Sequence, residues 1–137
     1  MKFEIRSTKQ KQMSENRNSK HYDLEDRTFE FARQVRTFIK ALPKTLANTE
    51  DARQLIRASG SIGSNYIEAN DALSKKDFIM RIKICRKEAK ESRYWLHLID
   101  TYDDSRTDTE QGRLIQEATE LMNIFGAILR NTENPKS

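Results

Sequence analysis

The side chains best suited to chemistry in this chain gather on one stretch. Lys75, Lys76, Lys83, Arg86, Lys87, Lys90, Arg93 and His97 fall within an arc of about 120° when residues are placed about 100° apart on a helix. A basic stripe of this kind holds phosphate oxygens through charge and N–H donors, without reading base sequence. Between positions 72 and 93 eight basic residues stand against three acidic ones. Positions 101–134 invert the balance, with seven acidic residues (Asp103, Asp104, Asp108, Glu110, Glu117, Glu120, Glu133) against three basic. Two readings follow. Either the arc is exposed and binds a polyanion, or the basic segment faces the acidic one, within a subunit or across an interface, and the charges cancel. Tyr94 lies near the arc, where an aromatic ring can stack on a base. Trp95, Leu98 and Tyr102 fall toward the other side and read as packing or interface residues, a second apolar strip that favours oligomerisation.

Catalytic groupings are absent at readable spacing. His21 and His97 are too far apart in the pattern to share a metal ion, and His97 with Asp100 reads as a surface contact. Cys85 occupies an apolar seam position, where an inert buried thiol is expected. Asp103, Asp104 and Asp108 are explained by a helix-capping loop. No nucleophile–base pair, metal set or cofactor motif is visible, so the expectation is a non-enzymatic protein without cofactors.

The stretch "RASGSIGSNYIEAN", Arg57 to Asn70, is the other unusual feature. Six of the seven residues from Ala58 to Ser64 are Ala, Ser or Gly, inside an otherwise helical segment. Glycine in a helix costs about 1 kcal/mol against alanine, so a bare face must be gaining something. A phosphate-cradling loop is excluded, because no Gly-Lys-Ser/Thr follows and no strand precedes. Gly60 and Ser64, four apart with Ser61 beside them, instead suit close approach of another helix or subunit. Asn65 and Glu68 are expected in a polar network, with Glu68 pairing a base such as Arg57 or Lys76.

These groups need a frame. At 137 residues the chain reads as one domain. Charged residues make up 34%, and four glycines and two prolines are too few for a sandwich or barrel with many turns. No apolar run approaches a membrane span, and the first residues lack the apolar core of a secretory signal. A single cysteine precludes an internal disulfide and points to a cytoplasmic setting. The net charge of +4 resides in positions 1–22, which carry six Lys/Arg against Glu4 and Glu15; the remainder is neutral. Positions 1–22 are therefore read as a basic arm, 23–131 as a helical bundle and 132–137 as a tail.

Within 23–131 apolar residues recur at three- and four-residue steps, the spacing of a bundle seam. A first helix, capped by Asp23, carries Leu24, Phe31, Val35, Phe38 and Leu42 and stops before Pro43. Leu46 is expected to tuck beneath the helix ends, and a second helix to start at Asn48 or Thr49 and run to about Asn70. Ser74 with Asp77 opens a third, whose seam from Phe78 to Ile99 suggests a rod of about 42 Å ending at Tyr102. Thr107 with Glu110 reads as the capping box of a fourth, carrying Leu114, Ala118, Leu121, Phe125 and Ile128. Four helices on short loops predict an all-α, antiparallel up-and-down four-helix bundle.

The block from Arg53 to Ile99 resembles the bacterial four-helix bundle proteins encoded in intervening sequences of 23S rRNA genes. Its signature, S-I-x-x-N-x-x-E followed by S-x-K-[DE]-F, stands here as Ser61-Ile62, Asn65 and Glu68, then Ser74, Lys76, Asp77 and Phe78. The chain departs from many relatives at Gly63 and at Ala69-Asn70. The resemblance implies a homopentameric ring. The family is also similar to the accessory protein of diversity-generating retroelements, which implies two possible partners: nucleic acid and a reverse transcriptase. The combined expectation is a non-enzymatic oligomeric scaffold that holds RNA or DNA by phosphate contacts, with no membrane association. The alternative is an adaptor whose charged faces serve assembly and docking of a partner protein.

Overall fold

A computed structural model describes residues 23–135; the arm expected at positions 1–22 lies outside the described residues. Four helices follow one another: α1 (Leu24–Lys40), α2 (Leu46–Asn70), α3 (Lys75–Leu98) and α4 (Ser105–Glu133). No strand occurs among the described residues.

Each helix starts at a side chain that accepts one of the backbone N–H groups left open in the first turn. Asp23 accepts from the Glu25 amide at 2.8 Å, and Ser74 from the Asp77 amide at 3.1 Å. Both starts agree with the sequence reading. Two others do not. α2 is capped by Thr45, which accepts from the Asn48 amide at 3.1 Å, so the helix begins two residues early. Leu46 consequently points to solvent, 81% exposed, and does not seal the helix ends. Asn48 is buried and staples two loops together: its amide donates to the Pro43 and Asp100 carbonyls, and its oxygen accepts from the Asp100 amide. α4 is capped by Asp104, whose carboxylate accepts from both the backbone and the hydroxyl of Thr107. Thr107 is thus the capped residue rather than the cap.

The third helix is also shorter than the seam suggests. Ile99 turns to extended backbone, and the Gln111 amide of α4 takes the carbonyls of Leu96 and Ile99 at 2.8 and 2.9 Å. Tyr102 and Asp103 then adopt left-handed backbone, with φ of 56° and 59°, and reverse the chain. The rod is 24 residues, about 36 Å at 1.5 Å per residue.

Consecutive helices pack side by side, α2 on α3 and α3 on α4 most extensively, and α4 closes back on the shorter α1. The link from Asn70 at the end of α2 to Glu25 at the start of α1, 2.9 Å, fixes their antiparallel sense. Asn48, near the start of α2, bonding to Asp100 beyond the end of α3 does the same for α2 and α3. Apolar residues from all four helices form one core: Phe31, Val35 and Phe38 of α1 meet Leu55 and Ile62 of α2, Ile82 and Leu96 of α3, and Leu114, Leu121 and Phe125 of α4. Tyr66 and Phe125 pack with ring centroids 5.8 Å apart. No helix among the described residues is long and apolar enough to cross a membrane.

Candidate nucleic-acid interface

The basic arc of α3 opens onto a groove shared with α4. Lys83, Arg86, Lys87 and Lys90 form one wall; Met122, Gly126, Leu129, Arg130 and Glu133 form the other, around about 680 Å³. Gly126 is why the groove has depth there. It is buried on α4, and a Cβ built on it would lie 3.8 Å from the Arg86 Nε and 3.6 Å from an Arg130 guanidinium nitrogen. Two guanidinium groups, one from each helix, therefore converge over a bare backbone. Like charges in water repel by only about 1 kcal/mol at 4 Å, and an anion between them reverses the sign. A guanidinium also presents a planar fork of N–H donors that matches phosphate oxygens.

The α4 carboxylates Glu117 and Glu120, which would otherwise offset this charge, are held elsewhere. Arg27 of α1 takes Glu117 at 2.7 Å and Glu120 at 2.8 Å. The hydrogen bonds Arg27 donates to Glu117 are the main reason its pKa is raised. Gln116 first and Arg27 second hold the Glu120 carboxyl below its ordinary value. Glu110 is engaged by Arg113, its own neighbour on α4. Glu117 and Glu120 of α4 therefore serve α1. Of the α4 carboxylates among the described residues, only Glu133 reaches the arc, 3.6 Å from Lys83. Lys87 lies 3.8 Å from Glu88, but that buried carboxylate is shared with Arg57 at 3.3 Å. Among the described residues Arg86 and Lys90 have no ion-pair partner.

The rest of the arc is less concentrated. Lys75 and Lys76 are exposed in the first turn of α3 and do not line the groove. Arg93 turns toward α4 and donates to the Thr119 hydroxyl at 3.4 Å. His97 is exposed, and its intended neighbour Asp100 instead accepts from the Tyr102 amide.

Beyond Lys90 the surface changes character. Lys87, Lys90, Glu91, Tyr94 and Trp95 line an adjoining recess of about 580 Å³. Tyr94 is 58% exposed, and its ring meets Trp95 edge to face with centroids 5.0 Å apart. Trp95 packs against the core at the same time. It does not share a strip with Tyr102, because the helix ends at Leu98; both Leu98 and Tyr102 are exposed.

The small-residue stretch resolves into two faces. The close approach happens at Gly63, which the sequence reading passes over: a Cβ there would lie 2.8 Å from the hydroxyl of the buried Thr28 on α1. Gly60 and Ser64, with Gly63, floor a groove of about 450 Å³ between α1 and α2, rimmed by the exposed Phe29 and Ile67. Ser61 serves locally, its carbonyl accepting from the Asn65 amide at 2.9 Å. Asn65 does enter a polar network, accepting from Arg81 at 2.9 Å. Glu68 is exposed, its carboxylate makes no hydrogen bond or ion pair among the described residues, and Arg57 goes to Glu88 and Glu91.

Cys85 donates to the Ile62 carbonyl at 3.4 Å, and burial pushes its thiol up to about 12. No group of three or more His, Cys, Asp or Glu residues able to hold a metal ion occurs among the described residues. Neither Arg130 nor Gly126 stands out in the sequence. The available signal is a glycine four residues before an arginine on the flank of an apolar seam, and it gains meaning only once α3 is known to lie opposite.

Fold and surface together define a class: a small antiparallel helical bundle with one basic groove poor in carboxylates. The chain belongs to the 23S rRNA-intervening sequence protein family, whose sequence model matches residues 20–127. It is also similar to a crystal structure from Bacteroides thetaiotaomicron VPI-5482, a protein with unknown function from the S23 ribosomal protein family. That likeness has 28% identity and a TM-score of 0.67, over 79% of this chain and 99% of the other. No curated protein matches the chain.

Proposed function

We propose that this protein is a non-enzymatic, cytoplasmic, homo-oligomeric scaffold that holds RNA or DNA by phosphate contacts in the α3–α4 groove. The observation that carries the reading is the placement of charge. Arg86 and Arg130 converge over Gly126, with Lys83, Lys87 and Lys90 alongside, while Glu117 and Glu120 are taken up by Arg27. Contacts of this type neutralise phosphates and release counterions, so they supply affinity without base readout. A pentamer, as in the family resemblance, would repeat the groove five-fold around a ring.

The test is fluorescence anisotropy of a labelled structured RNA and a duplex DNA across a salt series. Binding is expected to weaken steeply with salt, and each Lys or Arg removed from the groove is expected to lower the log–log slope by about one. Charge reversal at Lys83, Arg86, Lys87 and Lys90 together abolishes binding on this reading, and Arg130→Glu alone weakens it. Binding that survives both variants but is lost on deletion of residues 1–22 moves the phosphate contacts to the arm. An absence of binding near physiological salt removes the reading.

A second reading has its own support. The α1–α2 groove has an apolar rim of Phe29 and Ile67 over a floor of Gly60, Gly63 and Ser64, and it suits contact with protein better than with phosphate. An adaptor that docks a partner protein, a reverse transcriptase among the possibilities, would bind polyanions weakly and fail on substitution of that rim.

A further inference from the structure

We infer that the surface takes single-stranded nucleic acid in preference to duplex, with a base stacked at Tyr94 beside Trp95. The inference rests on the phosphate reading of the α3–α4 groove and adds the form of the ligand. Lys83, Lys87, Lys90 and Tyr94 follow one another at steps of four, three and four, so they lie in a line along one face of α3. The first three present ammonium groups, and the fourth presents a ring. Lys87 and Lys90 belong to both recesses, the arginine-lined groove and the aromatic one, so the two form one continuous track. Phosphate charge is thus met first and a base-sized apolar surface next, one helical turn, about 5 Å, further along.

Three features point to bases rather than to packing as the use of this pair. Tyr94 is exposed beside Lys87 and Lys90, while its neighbour Trp95 packs against the core and holds the recess in place. The edge-to-face contact with Trp95 occupies only one face of one ring, and stacking needs a free face. Two of the three charges lining the recess, Lys87 and Lys90, are cationic, and the third, Glu91, is taken up by Arg57 at 3.2 Å, which favours a phosphate-linked base over an uncharged aromatic ligand. A duplex cannot use such a ring without paying to unstack its own bases, whereas a single strand offers them free. The paired arginines serve either form equally, so the preference must arise at Tyr94.

The chain's single tryptophan, Trp95, reports directly on the recess. The experiment titrates the full-length protein with oligothymidylate and with a duplex of the same length, reading anisotropy and tryptophan emission together. Oligothymidylate is expected to bind more tightly than duplex and to change Trp95 emission, and the duplex to leave emission unchanged. Tyr94→Ala is expected to weaken single-strand binding about five-fold or more while leaving duplex binding unaltered. Tyr94→Phe, which keeps the ring, should restore wild-type affinity. Equal loss on both ligands in Tyr94→Ala, or single-strand binding with no change in Trp95 emission, overturns the stacking role but leaves the phosphate groove standing. Binding to neither ligand overturns both.

Discussion

The glycines of this bundle differ in what lies opposite them, and that difference predicts the sign of each substitution. At Gly63 a Cβ would sit 2.8 Å from the Thr28 hydroxyl. That hydroxyl is fixed, because Thr28 is buried and donates to the carbonyls of Leu24 and Glu25. Alanine gains about 1 kcal/mol of helix propensity, whereas overpacking a fixed neighbour costs about 1–3 kcal/mol. Gly63→Ala is therefore expected to lower the thermal midpoint. Gly112→Ala, with nothing within 4 Å, is expected to raise it by the propensity alone. Calorimetry on the pair checks both signs. Cys85 offers a second residue-scale outcome. Its thiol is raised by burial above its ordinary 9.0 to about 12, so the neutral form is the folded form. The raised value means its contribution is full below pH 9.0 and is lost as pH climbs toward 12. At about pH 8 it should alkylate only when the bundle opens, at a rate that follows global unfolding under added urea. Rapid labelling of the folded protein would contradict the burial.

Helix starts show where local chemistry can be read from sequence and where it misleads. Asp23 and Ser74 are the only good acceptors just ahead of their apolar runs, and both cap as read. Upstream of α4 two patterns overlap: Thr107 with Glu110 has capping-box spacing, but Asp104 stands three residues before Thr107 and takes its amide. The local pattern is degenerate, and the loop closed by Gln111 on Leu96 and Ile99 decides it. Asn48 misleads for the opposite reason, since it looks like a cap while its side chain is needed by a loop 52 residues away. The basic arc was legible because it lies within one helix. Its partner Arg130, and the diversion of Glu117 and Glu120 to Arg27, depend on which face of α4 turns to which neighbour, and no single-helix pattern carries that. The cap assignment is testable by acid. Hydrogen bonding from Thr107 holds the Asp104 carboxyl below its ordinary 3.8. A depressed carboxyl stabilises above its unfolded value and loses that contribution as pH falls through the folded one. Asp104→Ala should lower the midpoint by a few degrees at neutral pH and by progressively less below about pH 4. Thr107→Val, which keeps the backbone amide bond to Asp104, should retain part of the cap. A Glu110→Gln variant that reproduced the Asp104→Ala loss would restore the Thr107 box instead.

At the scale of the whole molecule, the proposed function depends on repetition. One groove presents five basic side chains, Lys83, Arg86, Lys87, Lys90 and Arg130, one of them already committed to Glu133. Lys87 also lies 3.8 Å from Glu88, and the three cations left without an ion pair among the described residues give modest, salt-sensitive affinity and no sequence choice. A ring changes the arithmetic, because a strand held in one groove meets the next at high effective concentration, and avidity gains of about 10²–10⁴ follow when the ligand spans the gap. The protein leaves apolar side chains available for assembly, with Leu73 94% exposed and Phe29 66%. The expected outcome is therefore a step in affinity with oligonucleotide length. Short strands bind at the single-groove value, and affinity rises sharply once the strand reaches two grooves. Sedimentation of the same samples supplies the mass against which the step is read. A multimeric mass with a length step supports the repeated groove. A monomeric mass with a smooth dependence on length confines binding to one groove per particle and removes the ring from the mechanism. A multimer without a step places the grooves where one strand cannot join them, and the scaffold would then gather separate nucleic-acid segments.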